Sequence, residues 1–301
     1  MITIFSNPRG FLGHFNIIQR NAIKSWIKSC PRCEIILLGQ EEGIKEVADE
    51  FNIRYIPEVK KNEYGTPLLG SVFEIAQREA KNPLMVYISA DIILTSDFIE
   101  AVKSIKQQNF LAIGQRIDLD VTEELQFDSP EWEKKLLYRL GQGGQKHGLG
   151  GSDYFIFPRG LYKDVPLFAI GRTIHDNWLI YKVRALGFPV IDATEAIIAI
   201  HQEHEHFRNS GGLAASIKAQ EAKINLELAG GYSHVFTLQD ANLRLTKQGI
   251  KKPKITIQYL QQYFWTLPVL YPGIGAWPKI VSLMLSPRRL AGKILRILRI
   301  R

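Results

Sequence analysis

Along the first half of the chain, short solid runs of apolar residues alternate with longer stretches of helical spacing. ITIFS reads as a strand, and the segment from about Phe15 to Lys28 repeats its apolar positions as a helix does. EIILLG is a second buried strand, followed by the acidic helix EEGIKEVADEF and the strand IRYIPEV. A helix from about Pro67 to Ala80 then leads into the run LMVYISADIIL. Strands this short and solid, spaced by helices, predict an α/β fold built on a mostly parallel sheet. Ligands of such sheets gather beyond the carboxyl ends of the strands. The loops after Phe5, Leu38, Ile56 and Ile88 are therefore expected to lie near one another.

The second half has a looser pattern. FLAIGQRIDLDV, DYFIFP and PVIDAT read as strands, and DSPEWEKKLLYRL and DNWLIYKVRALG as helices. Residues 141–151, GQGGQKHGLGG, hold six glycines and are expected to form a mobile segment, either a loop that orders around substrate or a tolerated surface loop. After about Thr246 come the polar KQGIKKPKI and the aromatic-rich YLQQYFWTLPVLYPGIGAWPKIVSLML. RRLAGKILRILRIR closes the chain as a basic amphipathic helix candidate, with Arg289, Lys293 and Arg296 on one face and Leu290, Ile294, Ile297 and Leu298 on the other.

The charge distribution sharpens this division. The 301 residues carry a formal net charge of +8. Lys251, Lys252, Lys254, Lys279, Arg288, Arg289, Lys293, Arg296, Arg299 and Arg301 lie in residues 251–301, which contain no acid. The body is thus close to neutral, which argues against a nucleic-acid partner. A basic tail flanked by Trp and Tyr suits an anionic membrane surface. A helix docked on the protein's own core, or a disordered basic end, is the alternative. MITIFSN has neither the basic region nor the apolar segment of a signal peptide, and no apolar run reaches the roughly 20 residues of a membrane span. A cytoplasmic protein, peripheral at the inner face of the membrane, is expected. The two cysteines form CPRC between a helix and a strand. That is the wrong helix end to activate a thiol, so a structural turn is expected.

Three polar groups carry candidate chemistry. Asp91 closes the buried run YISAD, where a hard divalent cation could find an oxygen ligand. In GRTIHDNW, Arg172, His175, Asp176 and Asn177 precede a helix; the residues alone favour Asp176 as its N-cap over a proton acceptor. In IHQEHEH, His201, His204 and His206 follow a strand-like run, and one imidazole joining Asp91 on a cation is the simplest use of them. Asp153, in GGSDYFIFP, either binds sugar hydroxyls or closes the glycine segment.

Together, TIFSNPRGFLGHFNIIQRNAIKSW, NEYGTPLL, YISADIIL, GQRIDLDVTE, GGSDYFIFPRG, GRTIHDNWLIY and IDATEAIIAIHQEHEH resemble a glycosyltransferase of the GT-A fold, over roughly residues 2–245. The likeness is to a bacterial group related to the family 2 glycosyltransferases. It implies a Rossmann-like sheet flanked by helices in a catalytic domain over 1–246, with a nucleotide-binding half to about 120 and an acceptor half beyond it. Residues 247–301 form the basic, aromatic-rich tail. SAD, residues 89–91, takes the DxD position, so Asp91 is implied as a ligand for Mn2+ or Mg2+, while Ser89 stands where the family has its first acid. The resemblance maps the catalytic base onto Asp176 and a second metal ligand onto His201, with His204 next. Ser6, Arg9, Glu63, Thr66, Ser89, Arg116 and Asp153 become candidates for holding the donor. The implied activity is transfer of a sugar from a UDP-, GDP- or dTDP-linked donor to an acceptor hydroxyl, with inversion. A lipid-linked acceptor fits the tail. Two competing readings are a sugar-nucleotide pyrophosphorylase, which SNPRGFLGHF matches poorly, and a non-catalytic membrane-surface protein on a degenerate scaffold.

Overall fold

A computed structural model describes residues 1–204 and 213–286. The strands are β1 (Ile2–Ser6), β2 (Glu34–Leu38), β3 (Arg54–Ile56), β4 (Leu84–Ile88), β5 (Ile92–Leu94), β6 (Leu111–Ile113), β7 (Ile117–Leu119), β8 (Gln145–Lys146), β9 (Tyr154–Pro158), β10 (Val190–Asp192), β11 (Ala199–Gln202), β12 (Leu243–Thr246) and β13 (Gly249–Lys251). The helices are α1 (Gly13–Ser29), α2 (Ile44–Glu50), α3 (Leu69–Glu79), α4 (Asp97–Ser104), α5 (Trp132–Gly143), α6 (His175–Ala185), α7 (Leu213–Leu228), α8 (Ile257–Leu270) and α9 (Trp277–Met284).

A nine-stranded sheet runs β13-β12-β10-β6-β9-β4-β1-β2-β3. It is parallel except for β9, which lies antiparallel between β4 and β6, and β13, which turns back on β12. This is the mostly parallel, helix-flanked α/β sheet that the sequence pattern implies. Strand residues alternate between its two faces. Val86 and Ile88 of β4 join Ile4 and Trp26 in one core, whereas Met85 and Tyr87 join Phe5, Phe73 and Phe157 in the other. The sheet does not stop at residue 246: β13 pairs with β12 through Thr246↔Gly249 and extends it to Lys251.

Two runs that read as single strands are each broken in two. LMVYISADIIL divides into β4 and β5, and FLAIGQRIDLDV into β6 and β7. In each case the first piece belongs to the large sheet and the second to a four-stranded sheet, β5-β11-β7-β8. β10 and β11 repeat the pattern. The chain crosses between sheets at 89–91, at 114–116 and at 193–198. At Gly114 the crossing is tight, since a Cβ there would lie 2.0 Å from the Tyr154 hydroxyl.

β5 is an edge strand, and helix α1 covers its outer side. Ser25 Oγ accepts from the Leu94 amide (3.0 Å), and Ser29 Oγ donates to the Leu94 carbonyl (3.0 Å). Trp26 Nε1 donates to the Ile92 carbonyl at 2.8 Å. One face of a helix thus supplies what a neighbouring strand would otherwise supply. The CPRC turn joins α1 to β2 as expected, and a disulfide links Cys30 to Cys33.

After β13 the chain forms a hairpin of α8 and α9. Thr256 caps α8 by accepting from the Tyr259 amide at 3.1 Å, and Pro272 ends the continuous helix. Gln262 of α8 donates to both oxygens of buried Asp240 (3.1 and 2.9 Å), fastening the hairpin to the body. Among the described residues no helix is long and apolar enough to cross a membrane. The amphipathic segment expected from Arg288 onward lies outside the described residues.

Trp26→Phe leaves the Ile92 carbonyl without its donor and trims a fully buried side chain. It is expected to cost about 2 kcal/mol of stability by urea unfolding. A loss near zero would mean that α1 does not support β5.

Candidate functional site

The site gathers at the three crossings between sheets. β4 ends at Ile88 and Asp91 lies just before β5, so its side chain sits where the parallel strands deliver their ends. Its backbone carbonyl accepts from the Gln202 amide (3.2 Å) and from Gln202 Nε2 (3.1 Å). Gln202, fully buried, is itself held by Asn21 of α1 (3.0 Å) and by the Ile18 carbonyl (2.7 Å). Asp91 is therefore fixed through its main chain before its side chain does anything.

Asp91 Oδ2 lies 3.2 Å from His204 Nε2 and 3.6 Å from His201 Nε2. Both imidazoles face the carboxylate, where one was expected. Ligand atoms of all three residues fall within 4.8 Å of one another, and Asp91 Oδ1 is buried without a hydrogen-bond partner among the described residues. Burial alone would raise the Asp91 pKa; hydrogen bonds and charge from His201 and His204 overcome it and hold the group well below the carboxylate range. His201 responds in the opposite sense: burial lowers its pKa, and Asp91 more than restores it. One carboxylate and two imidazoles with an unused buried oxygen are a donor set that fits a divalent cation. The nitrogen share suits Mn2+ better than Mg2+. His206 lies outside the described residues.

Further polar residues back His201. Asp118 Oδ1 lies 3.1 Å from His201 Nδ1, and Asp118 Oδ2 lies 2.9 Å from His147 Nδ1. Arg116 ties this to the crossing after β4, donating from Nε to Asp118 (2.9 Å) and from Nη1 to Asp153 (2.8 Å). Asp153 also accepts from Ser89 Oγ at 3.5 Å, and its carbonyl accepts from the Ser89 amide at 2.9 Å. Ser89 thus meets a carboxylate in place of being one.

His147 belongs to the glycine-rich segment, which is not a free loop. α5 runs through Gly143, Gln145 and Lys146 pair with β7, and the Gly150 carbonyl accepts from Asn177 Nδ2 at 3.0 Å. Gly150 and Gly151 line the cleft. The expectation of mobility is corrected by these contacts; its placement beside the site is as expected.

Asp176 is not the N-cap. α6 begins at His175, its cap position is Ile174, and no side chain caps it. Ile174 has φ 91°, a conformation that a β-branched residue adopts only under strain. It turns the chain so that Asp176, in the first helical turn, lines the cleft. Burial raises the Asp176 pKa, nearby His175 lowers it, and Asp153 raises it further. Asp176, Asp153 and Asp91 converge on the buried Tyr87 hydroxyl: burial, then these three charges, push its pKa up.

The other expected donor contacts divide. Ser6, Arg9 and Thr66 line the same cleft, of about 1140 Å3, as Asp91 and Asp176. Ser6 is buried and donates to the Ile88 carbonyl (2.6 Å), steadying the end of β4, while Arg9 lies over the Phe15 ring at 4.9 Å. Glu63 does not line the cleft. Asn62 Oδ1 accepts from the Tyr64 and Thr66 amides (3.0 and 2.9 Å), closing a turn that leaves Glu63 exposed and brings Tyr64 and Thr66 to the cleft. Asp118, His147 and Gln202 were not singled out from sequence. Asp118 had one available signal, its spacing of two from Arg116 in a strand, which puts both on one face.

No family model and no curated protein matches the chain. Among solved structures, a mannosyltransferase from Pyrobaculum calidifontis in complex with GDP-Man and Mn2+ is 13% identical over 96% of this chain and 73% of that one, with a TM-score of 0.47. Glucosyl-3-phosphoglycerate synthase from Mycobacterium tuberculosis, in complex with Mn2+, UDP and phosphoglyceric acid, is 16% identical over 77% and 79%, at 0.46. S. aureus TarS with UDP-GlcNAc is 12% identical over 91% and 81%, at 0.44. Likeness at these levels says nothing of activity.

The geometry predicts that Asp91→Asn abolishes Mn2+ binding and that Asp118→Asn weakens it about 10- to 100-fold, read by isothermal titration. Unchanged Mn2+ affinity in Asp91→Asn would remove the metal site.

Proposed function

We propose that the chain is a nucleotide-sugar-dependent glycosyltransferase of GT-A type, transferring a sugar from a UDP-, GDP- or dTDP-linked donor to an acceptor hydroxyl. The observation that carries this is the meeting of Asp91, His201 and His204 with Asp176 in one cleft at the ends of parallel strands. The cleft's volume, about 1140 Å3, is ample for a nucleotide sugar and an acceptor group. The sequence resemblance to family 2 enzymes over most of the chain points the same way.

Asp91, His201 and His204 would hold Mn2+, or less favourably Mg2+. When bound there, the cation supplies neutralisation of charge on a diphosphate leaving group. The chain's own residues do the rest. Asp118 orients His201, Arg116 holds Asp118 and Asp153 in register, and Arg9 offers an exposed guanidinium at the lip of the first loop. Ser6 keeps the end of β4 in place, and Tyr64 and Thr66 line the cleft where the donor would lie. Asp176 is the base. Burial makes its carboxylate a better proton acceptor than a solvated one, and it lines the cleft without a side-chain capping duty. One carboxylate suffices for inversion, and no second nucleophile is assigned.

The hairpin of α8 and α9 supports an acceptor at an anionic membrane surface, lipid-linked and on the cytoplasmic side. Trp277, Ile280 and Met284, spaced to share one face of α9, are 54%, 54% and 68% exposed. Ile255 and Ile257 are also exposed. From residue 241 to the end the sequence has no acid, so nothing within this region offsets its Lys and Arg. Glu195 of the body pairs with Arg244 and Lys254, and apolar anchors beside an excess of cations suit a peripheral, not a spanning, attachment.

Three outcomes test this. At least one UDP-, GDP- or dTDP-sugar binds in a manner abolished by EDTA; no metal-dependent binding of any would overturn the transferase. Asp176→Asn keeps that binding and loses turnover by about 100-fold or more. Because the base must be ionised and its pKa is raised, wild-type turnover falls on the acid side at a pH above the ordinary carboxylate value of about 3.9; full turnover in Asp176→Asn rules it out as base. Replacing Trp277, Ile280 and Met284 together by Ser reduces sedimentation with phosphatidylserine vesicles, and added salt reduces it further. Equal sedimentation would remove the hairpin from the membrane contact.

A further inference from the structure

The cleft holds a cationic feature that the Asp91 site does not use. Glu221 of α7 has no exposed side-chain surface, an expensive place for a carboxylate unless it is fully paired. Its Oε2 accepts from Arg172 Nε at 2.6 Å, and its Oε1 accepts from Asn62 Nδ2 at 2.7 Å. Burial would raise its pKa, but donation from Thr66, Asn62 and Arg172 holds it lowered, so the charge is kept.

The consequence falls on Arg172. Its Nε is committed to Glu221 and its Nη1 to the Gly171 carbonyl at 3.2 Å, whereas its Nη2 has no partner among the described residues. The side chain is 18% exposed, and the residue lines the cleft. A guanidinium clamped on one edge loses little further freedom when its other edge meets a ligand. Lys218, three residues before Glu221 and so on the same face of α7, also lines the cleft. His175 stands three residues on, at the start of α6, its Nδ1 2.7 Å from the Arg172 carbonyl, directly before Asp176.

We propose that Arg172, clamped by Glu221 and flanked by Lys218 and His175, forms an anion subsite for a phosphate or carboxylate group of a ligand. It lies on the Asp176 wall of the cleft and is built separately from the Asp91 cluster. It deepens the transferase reading and rests on it for one question only, the source of the anion. That anion belongs either to the donor's diphosphate or to a charged group on the acceptor.

The test uses the full-length protein in EDTA, with inorganic phosphate as probe and thermal stability as readout. Wild type and Asp91→Asn are expected to be stabilised by phosphate. Arg172→Gln is expected to raise the phosphate concentration needed by about tenfold or more. Because Arg172→Gln leaves Glu221 buried with one partner fewer, the double variant Arg172→Gln/Glu221→Gln repeats the measurement with the charge pair removed. No stabilisation of the wild type, or an unchanged phosphate response in both variants, overturns the subsite. A second arm then finds the source. With Mn2+ present, a parallel tenfold loss of UDP or GDP affinity in Arg172→Gln assigns the anion to the donor; unchanged nucleotide affinity assigns it to the acceptor. Failure of all metal-dependent nucleotide binding would count against the transferase alone, since the phosphate arm contains no metal.

Discussion

A carboxylate partly withdrawn from water must be compensated, and Asp91 is compensated by two imidazoles more than a hundred residues later, one on β11 and one just beyond its end. That requirement explains much of the architecture around it. β11 has to pair beside β5, so both must leave the large sheet; β7 leaves with them and delivers Asp118 behind His201. With β5 now an edge, α1 covers it with Ser25, Trp26 and Ser29, while Asn21 from the same helix holds Gln202 against the Asp91 backbone. One helix thus supports both the strand and the crossing that carry the site.

Parallel strands with solid apolar runs were legible because burial on both faces leaves little ambiguity in ITIFS or EIILLG. The crossings were not. LMVYISADIIL is apolar throughout, and nothing in its composition says that β4 and β5 belong to different sheets; only pairing with β11 decides it. Asp91 drew notice because it interrupts such a run. Asp118 did not, since IDLD is also what a half-exposed strand looks like. His147 was hidden in glycines that promise mobility, although the strand pairing of Gln145 and Lys146 holds them. The turn after β3 was placed correctly at the cleft, but which of its side chains face inward depends on Asn62 closing the turn, and Glu63 points the other way. Asp176 was ambiguous as a cap for a simple reason: helix starts favour Asp, and only the positive φ of Ile174 shows that the start lies two residues earlier.

The cleft is organised by charge into two walls. One carries Asp91 with its histidines, stiffened by Asp118 and Arg116 through hydrogen bonds that leave few alternative arrangements. The other carries Asp176 beside Arg172, which Glu221 holds in place. The proposed transfer, which separates a diphosphate from a sugar while removing a proton from a hydroxyl, would use both groups of residues. The α8–α9 hairpin does not contribute to these two groups; it is fastened through Gln262 and Asp240 and carries cations and exposed apolar side chains of its own.

On the proposed reading, Asp91, His201 and His204 together present one cation to a nucleoside diphosphate. Pulsed electron paramagnetic resonance of the Mn2+-loaded protein reads this directly. Nitrogen couplings from two imidazoles are expected, lost stepwise in His201→Ala and His204→Ala, with a phosphorus coupling that appears when UDP or GDP is added. Mn2+ bound without nitrogen coupling, or with no phosphorus coupling to either nucleotide at saturation, would contradict it.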